Sequence, residues 1–295
     1  MIPFREFLEK IRPAVDRRIA ETAGGEGEID SAVLPLLSKG KRMRAGLLLY
    51  IHAGLARTAA PTRQALDLAC AVELAHAASL ILDDMLDGDT ARRGVPSLHL
   101  TRGEGRAVLD AVGILALPYA LAAPYGAGYV TMLASAQRKM ARGVAWEMLG
   151  GPVLPAAELY DAIIARKTGC LFSLAAAWGA MATGKEDTVV AAFGEFGLAA
   201  GKAMQVADDI ADLRAPGAGA RDSRPGSEAL LLRCVPGGNG TRQTLGMILE
   251  REVSGAAARI ADAGRRRVPP EGWEPFGQAV RDIVGLTMAG EVPAG

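Results

Sequence analysis

Imidazole and thiol groups are scarce in this sequence. Its histidines, His52, His76 and His99, and its cysteines, Cys70, Cys170 and Cys234, stand far apart, and no CxxC pair occurs. A zinc centre is therefore disfavoured, and reduced thiols in a cytoplasmic protein are the simple expectation. An excess of either charge is missing too: Lys plus Arg and Asp plus Glu both come to 33. That balance speaks against a protein that binds nucleic acid or a membrane surface by bulk charge. Aromatic residues make up only 5% of the chain although 50% is hydrophobic. The core is thus expected to be built from Ala, Leu, Ile, Val and Met. Runs of alternating β-branched residues, the signal of strands, are absent. At the N-terminus Arg5, Glu6, Glu9 and Lys10 interrupt any signal-peptide core.

What is present is helical spacing. It covers Ile2 to about Ala20, Ala45 to Ala59, Thr62 to Asp87, Ala107 to Ala123, Gly128 to Leu149, Ala156 to Thr183, Thr241 to Gly264 and Trp273 to Ala289. Asp30-Ser31 can cap a short helix through Leu37, and Arg265-Arg266-Arg267 reads as a solvated turn. Ala111 to Gln137 carries no charge and is long enough to span a bilayer. Pro118, Pro124, Gly126 and Gly128 interrupt it, so two buried helices joined near Pro124-Tyr125-Gly126 are expected rather than a transmembrane span. The pattern predicts an all-α fold, one domain over residues 1–295.

Two acidic clusters break this apolar background. Leu66 to Leu82, charged only at Asp67 and Glu73, ends in Asp83-Asp84-Met85-Leu86-Asp87. Phe193 to Ala207, charged only at Glu195 and Lys202, ends in Asp208-Asp209-Ile210-Ala211-Asp212. On a helix the first and last aspartates of each cluster are i and i+4 and share a face, where like charges repel. One such cluster is equally well read as a solvated helix end. Two of them suit Mg²⁺, a hard cation that binds one or two carboxylates together with substrate phosphates. They predict a helical bundle with both clusters at the mouth of one central cavity. Hydrocarbon walls below the metals would suit a diphosphate with a greasy tail.

Further motifs stand in order with these clusters. Gly40-Lys41-Arg42-Met43-Arg44 places three cations together, as a phosphate clamp requires. His76 lies two turns before Asp83. Arg92-Arg93-Gly94 follows the first cluster, Lys167-Thr168 lies between the clusters, and Gln205 precedes the second. Together these segments resemble the trans-isoprenyl diphosphate synthases, from about Gly40 to about Ser227. The wording from His76 to Met85 is closest to bacterial geranylgeranyl diphosphate synthases. The resemblance implies an isoprenoid synthase fold, usually a homodimer, and an Mg²⁺-dependent head-to-tail condensation of isopentenyl diphosphate with an allylic diphosphate.

It also implies roles. Asp83, Asp87 and Asp208 would bind the metals, with Asp84, Asp209 and Asp212 as outer or water-mediated ligands. Lys41, Arg44, His76 and Arg93 would hold isopentenyl diphosphate, and Arg92 and Lys167 the allylic diphosphate. Thr168 and Gln205 would turn oxygens toward the forming cation. Two positions depart from the family pattern: Val144 stands where a Gln is usual, and Ser227 where a Lys is usual. Ala215 to Ser227, rich in Gly, Pro and Ala, is expected to be a mobile lid. Small residues at Ser79, Ala78 and Ala75 on the face of Asp83 predict a long product, geranylgeranyl diphosphate, with Pro118-Tyr119 as the floor. The alternatives are farnesyl or longer products, a class I terpene cyclase, a membrane prenyltransferase for aromatic acceptors, or a non-catalytic subunit. The second full acidic cluster and the GKxxR clamp weigh against the cyclase, the several membrane spans of its class against the aromatic prenyltransferase, and the retained metal carboxylates against the subunit.

Overall fold

A computed structural model describes residues 1–25, 29–58, 60–92, 94–212, 239–267 and 273–289. It is a helical assembly, as expected. The elements are α1 (Phe4–Gly24), α2 (Leu34–Ser38), α3 (Met43–Ala56), α4 (Arg63–Asp87), α5 (Leu98–Arg102), α6 (Glu104–Ala122), α7 (Ala127–Leu149), α8 (Ala156–Ile164), α9 (Cys170–Met181), α10 (Asp187–Asp212), α11 (Asn239–Arg267) and α12 (Glu274–Met288). Asp30 caps a 3₁₀ turn ahead of α2 by accepting the Ala32 N–H at 2.9 Å. Thr62 likewise caps α4 through the Ala65 N–H. The uncharged stretch bends where expected, in a 3₁₀ turn at Ala123–Tyr125, while Pro118 stays inside α6. Two expectations need correction. The backbone of α11 stays helical through Arg267, so the arginine run ends a helix rather than forming a turn. A two-residue antiparallel hairpin, β1 (Ala91–Arg92) and β2 (Val95–Pro96), also forms after α4. Gly94 supplies the positive φ that so tight a reversal needs. This hairpin lies outside the core.

The core is continuous from Phe4 in α1 to Leu286 in α12. Aliphatic and alanine side chains dominate it, yet the few aromatics are concentrated rather than spread. Tyr50 takes the rings of Phe4, Phe7 and Phe276 edge-on at 5.2–5.9 Å, and Phe193 stacks among Phe196, Trp273 and Phe276. These contacts join α1, α3, α10 and α12 at one end of the molecule. Elsewhere alanine and glycine allow close helix contact. A Cβ on Gly197 would meet the Phe172 carbonyl oxygen at 2.3 Å, and one on Gly201 the Cα of Gly169 at 2.8 Å. The glycines therefore seat α10 directly on α9.

Charges inside the apolar helices are all accounted for. Asp67 is held by Arg18 at 2.6 Å, Arg63 at 3.0 Å and the Tyr125 hydroxyl at 2.6 Å. Lys202 pairs with Asp161 and Glu252, and Glu195 is exposed. Among the described residues two helices, α4 and α6 with the turn after it, are long and apolar enough to cross a membrane. Most of α4 is packed inside the protein, whereas α6 turns Val108, Leu109 and Val112 outward.

Candidate active site

The two acidic clusters occupy the last turn of α4 and the last described turn of α10. Between them lies a cavity of about 340 Å³. Asp83, Asp87, Asp208 and Asp212 line it, as do Lys41, Arg44, His76, Lys167, Thr168 and Gln205. Residues far apart in the chain and chosen for their chemistry thus meet at one place. Asp209 reaches the same wall. Asp84 does not line the cavity: it is buried and takes the Ser97 hydroxyl at 3.5 Å. The backbone of Arg92 sits on β1. Arg93 and the proposed lid from Ala215 to Ser227 lie outside the described residues. Ala75, Ala78, Pro118 and Tyr119 do not line this cavity; Ala75 and Ala78 are fully buried in α4, and Tyr119 donates to Gln137.

The clamp before α3 is built on an unusual backbone. Arg42 adopts a left-handed conformation, φ 55°, which costs about 1 kcal/mol or more for a residue with a side chain. Its buried guanidinium offsets this by bonding Asp16 at 2.6 Å and the Leu37 carbonyl at 2.6 Å, with Glu73 at 3.8 Å. Glu73 in turn accepts the Ala45 N–H at 3.0 Å, and Arg12 holds the Gly40 carbonyl. Arg42 is therefore the support of the loop, flanked by Lys41 and Arg44 at the cavity wall. Arg44 lies over the Phe172 ring, 4.9 Å from its centre.

Lys167 and Thr168 lie in a π-helical turn, Ala165–Gly169, between α8 and α9. Such turns recur at functional sites because they displace side chains from α-helical register. Gly143 of α7 lets this turn approach: a Cβ there would lie 2.6 Å from the Lys167 nitrogen. Lys167 contacts Glu147 at 2.5 Å. Burial would lower the lysine, but Asp83, Glu147 and Asp87 outweigh it, so its ammonium form is held more firmly than usual. Burial raises Glu147, with Asp83 and Asp87 adding to the rise and Lys167 opposing it. The short contact to a cation held by three carboxylates makes an ion pair the better description. Burial also pushes Asp209 up to about 7, against bonds from Tyr160 and Gln205.

Sequence reasoning left Glu147 and Glu73 without a role. Glu147 stands four residues after Gly143, in a motif whose Gln is replaced here by Val144, and Val144 itself lines the cavity. Leu80, Met140 and Met204 add apolar side chains to the lining, beside Met43, Ser79 and Thr287. Every acidic group at the rim is an oxygen donor, as a hard divalent cation requires. Among the described residues no three such groups already converge at metal-binding distance.

Residues 27–220 match the sequence profile of the Polyprenyl synthetase family. The chain is 32% identical to the geranylfarnesyl diphosphate synthase of Aeropyrum pernix over 270 residues, 85% of this chain and 84% of that one. It is 32% identical to the geranylgeranyl diphosphate synthase of Pseudescherichia vulneris over 262 residues, 82% and 83% of the two chains. Its fold matches the geranyltranstransferase of Thermotoga maritima with a TM-score of 0.75 at 23% identity, covering 96% of this chain and 99% of that one. A polyprenyl synthase from Caulobacter crescentus complexed with calcium and isoprenyl diphosphate gives 0.70 at 24% identity, covering 96% and 98%. The all-α fold is that of the isoprenoid synthases. The chain belongs to the polyprenyl synthetase family and is a prenyltransferase of prenyl-chain condensation.

Proposed function

We infer that this enzyme joins isopentenyl diphosphate head-to-tail to an allylic diphosphate with Mg²⁺, and that geranylgeranyl diphosphate is the main product. The observation that carries this reading is the convergence of Asp83, Asp87 and Asp208 with Lys41, Arg44 and Lys167 around one cavity. Asp83, Asp87 and Asp208 would hold the metal, with Asp212 beside them, and Mg²⁺ there would supply positive charge to offset that of the departing diphosphate. Lys167 steadies the allylic diphosphate. Lys41, Arg44 and His76 orient isopentenyl diphosphate for attack, a gain of proximity. Leu80, Met140, Val144 and Met204 keep water from the allylic cation, while Thr168 and Gln205 offer it oxygen.

A terpene cyclase is less well supported, because the GKxxR clamp serves a second diphosphate. A non-catalytic subunit is less well supported, because both acidic clusters are complete. The whole described chain acts as one unit in this reading, in the cytosol, where the buried Cys70 and Cys170 remain thiols. A second copy covers Val108, Leu109 and Val112 on α6, giving a homodimer; this face is apolar and exposed.

Three measurements test these points. Asp83→Ala or Asp208→Ala is expected to cut turnover by at least about 100-fold with the helical circular dichroism unchanged, whereas activity within about tenfold of wild type would contradict the metal role. Ser79→Phe is expected to shift the product toward farnesyl diphosphate, because Ser79, on the face of Asp83, lines the cavity and the ring would fill volume that the last isoprene unit needs. An unchanged product distribution by mass spectrometry would remove this wall as the determinant of length. Light scattering is expected to give twice the mass of one chain, and Leu109→Glu to halve it; a monomeric wild type would refute the dimer.

A further inference from the structure

Four polar groups beside the second acidic cluster form one chain of hydrogen bonds. The Tyr160 hydroxyl donates to Oδ2 of Asp209 at 2.5 Å. Nε2 of Gln205 donates to Oδ1 of the same carboxylate at 3.0 Å. The Thr168 hydroxyl donates to Oε1 of Gln205 at 2.5 Å. Tyr160 comes from α8, Thr168 from the π turn, and Gln205 and Asp209 from adjacent turns of α10. Tyr160 is 1% exposed and Asp209 4%.

The geometry gives the polarity of this chain directly: Gln205 turns its NH₂ to Asp209 and its carbonyl oxygen to Thr168. Thr168 has a single proton and gives it to that oxygen, so only its lone pairs are left for the cavity. Both cavity-lining groups then present the negative ends of their dipoles. An amide rotated the other way would present N–H instead, which repels a cation.

We propose that Asp209 and Tyr160 are positioning residues that set the hydrogen-bond polarity of the Gln205–Thr168 pair, so that the pair offers only oxygen lone pairs to the allylic cation. The proposal rests on the reading of the cavity as a condensation site. In it Asp209 orients an amide rather than ligating metal, although it belongs to the acidic motif. Tyr160 completes the anchor by occupying the second carboxylate oxygen.

A tertiary-amine analogue of the allylic substrate, with its ammonium where the cation forms, reports this polarity without turnover. Its binding is measured by calorimetry with inorganic diphosphate and Mg²⁺ present, beside that of a neutral carbon isostere. Asp209→Asn lets residue 209 donate to Gln205 and so reverses the amide. It is expected to weaken the ammonium analogue about 10- to 100-fold, the range of one hydrogen bond to a charged group, and the neutral isostere by less than about threefold. Binding of Mg²⁺ with inorganic diphosphate is expected to stay unchanged. Tyr160→Phe, which keeps the ring packed, should weaken the ammonium analogue in the same selective way but less. Gln205→Ala is the control. If it leaves the preference for the ammonium intact, the cation site itself is misread. If it removes that preference while Asp209→Asn and Tyr160→Phe retain it, the proposal is overturned. Weakened Mg²⁺ and diphosphate binding in Asp209→Asn also overturns it, by making Asp209 a metal ligand.

Discussion

Repulsion among carboxylates at helix ends is the constraint from which the site follows. Asp83 and Asp87 stand one turn apart at the C-terminus of α4, and Asp208 and Asp212 repeat this in α10. Like charges at i and i+4 destabilise a helix. The helix macrodipole adds to this, because its negative end is the C-terminus. Cations at the rim offset this repulsion, and the protein supplies Lys167 from one side and the Lys41–Arg44 clamp from another. These cations are themselves held in place. Lys167 is pinned by Glu147, and the clamp loop by Arg42 with Asp16 and Glu73. A diphosphate with its divalent metal would add to this pattern of charge at the rim.

The rest of the fold serves to bring the two helix ends together without closing the space between them. Gly197 and Gly201 seat α10 on α9, and Gly143 seats α7 on the π turn. These close contacts fix the backbone of Lys167 and Thr168 against α10. The aromatic cluster around Tyr50 and Phe193 gathers α1, α3, α10 and α12 into the same core. Rigid backbone therefore surrounds a cavity to which Leu80, Met140 and Met204 contribute apolar side chains among the charged ones.

Much of this was legible from residue spacing. Helical periodicity located the helices because their buried faces are continuous. The acidic clusters stood out because they end apolar runs where charge is costly. The clamp and Lys167-Thr168 were read by resemblance, and the structure brings them to the same cavity. What spacing alone did not separate was the middle aspartate of each motif. One residue along a helix is a turn of about 100°, so Asp84 points to Ser97 while Asp83 lines the cavity. Asp209 is likewise drawn to Tyr160. The roles of Glu147, Glu73 and Tyr160 escaped notice for a related reason: each has a partner on another helix, and such pairs leave no local pattern. The low aromatic content suggested an aliphatic core, whereas the few rings are clustered, a matter of tertiary placement.

Thermal unfolding of Asp83→Asn/Asp208→Asn beside wild type, with and without Mg²⁺ and inorganic diphosphate, tests the central claim most directly. The claim is that the two rims are electrostatically strained until cation and diphosphate arrive. Without ligands the double variant should melt above wild type, because two repelling charges are gone. With ligands the order should reverse, since wild type gains binding free energy that the variant lacks. A ligand-free variant that melts below wild type, or a wild type that Mg²⁺ and diphosphate fail to stabilise, would contradict the account.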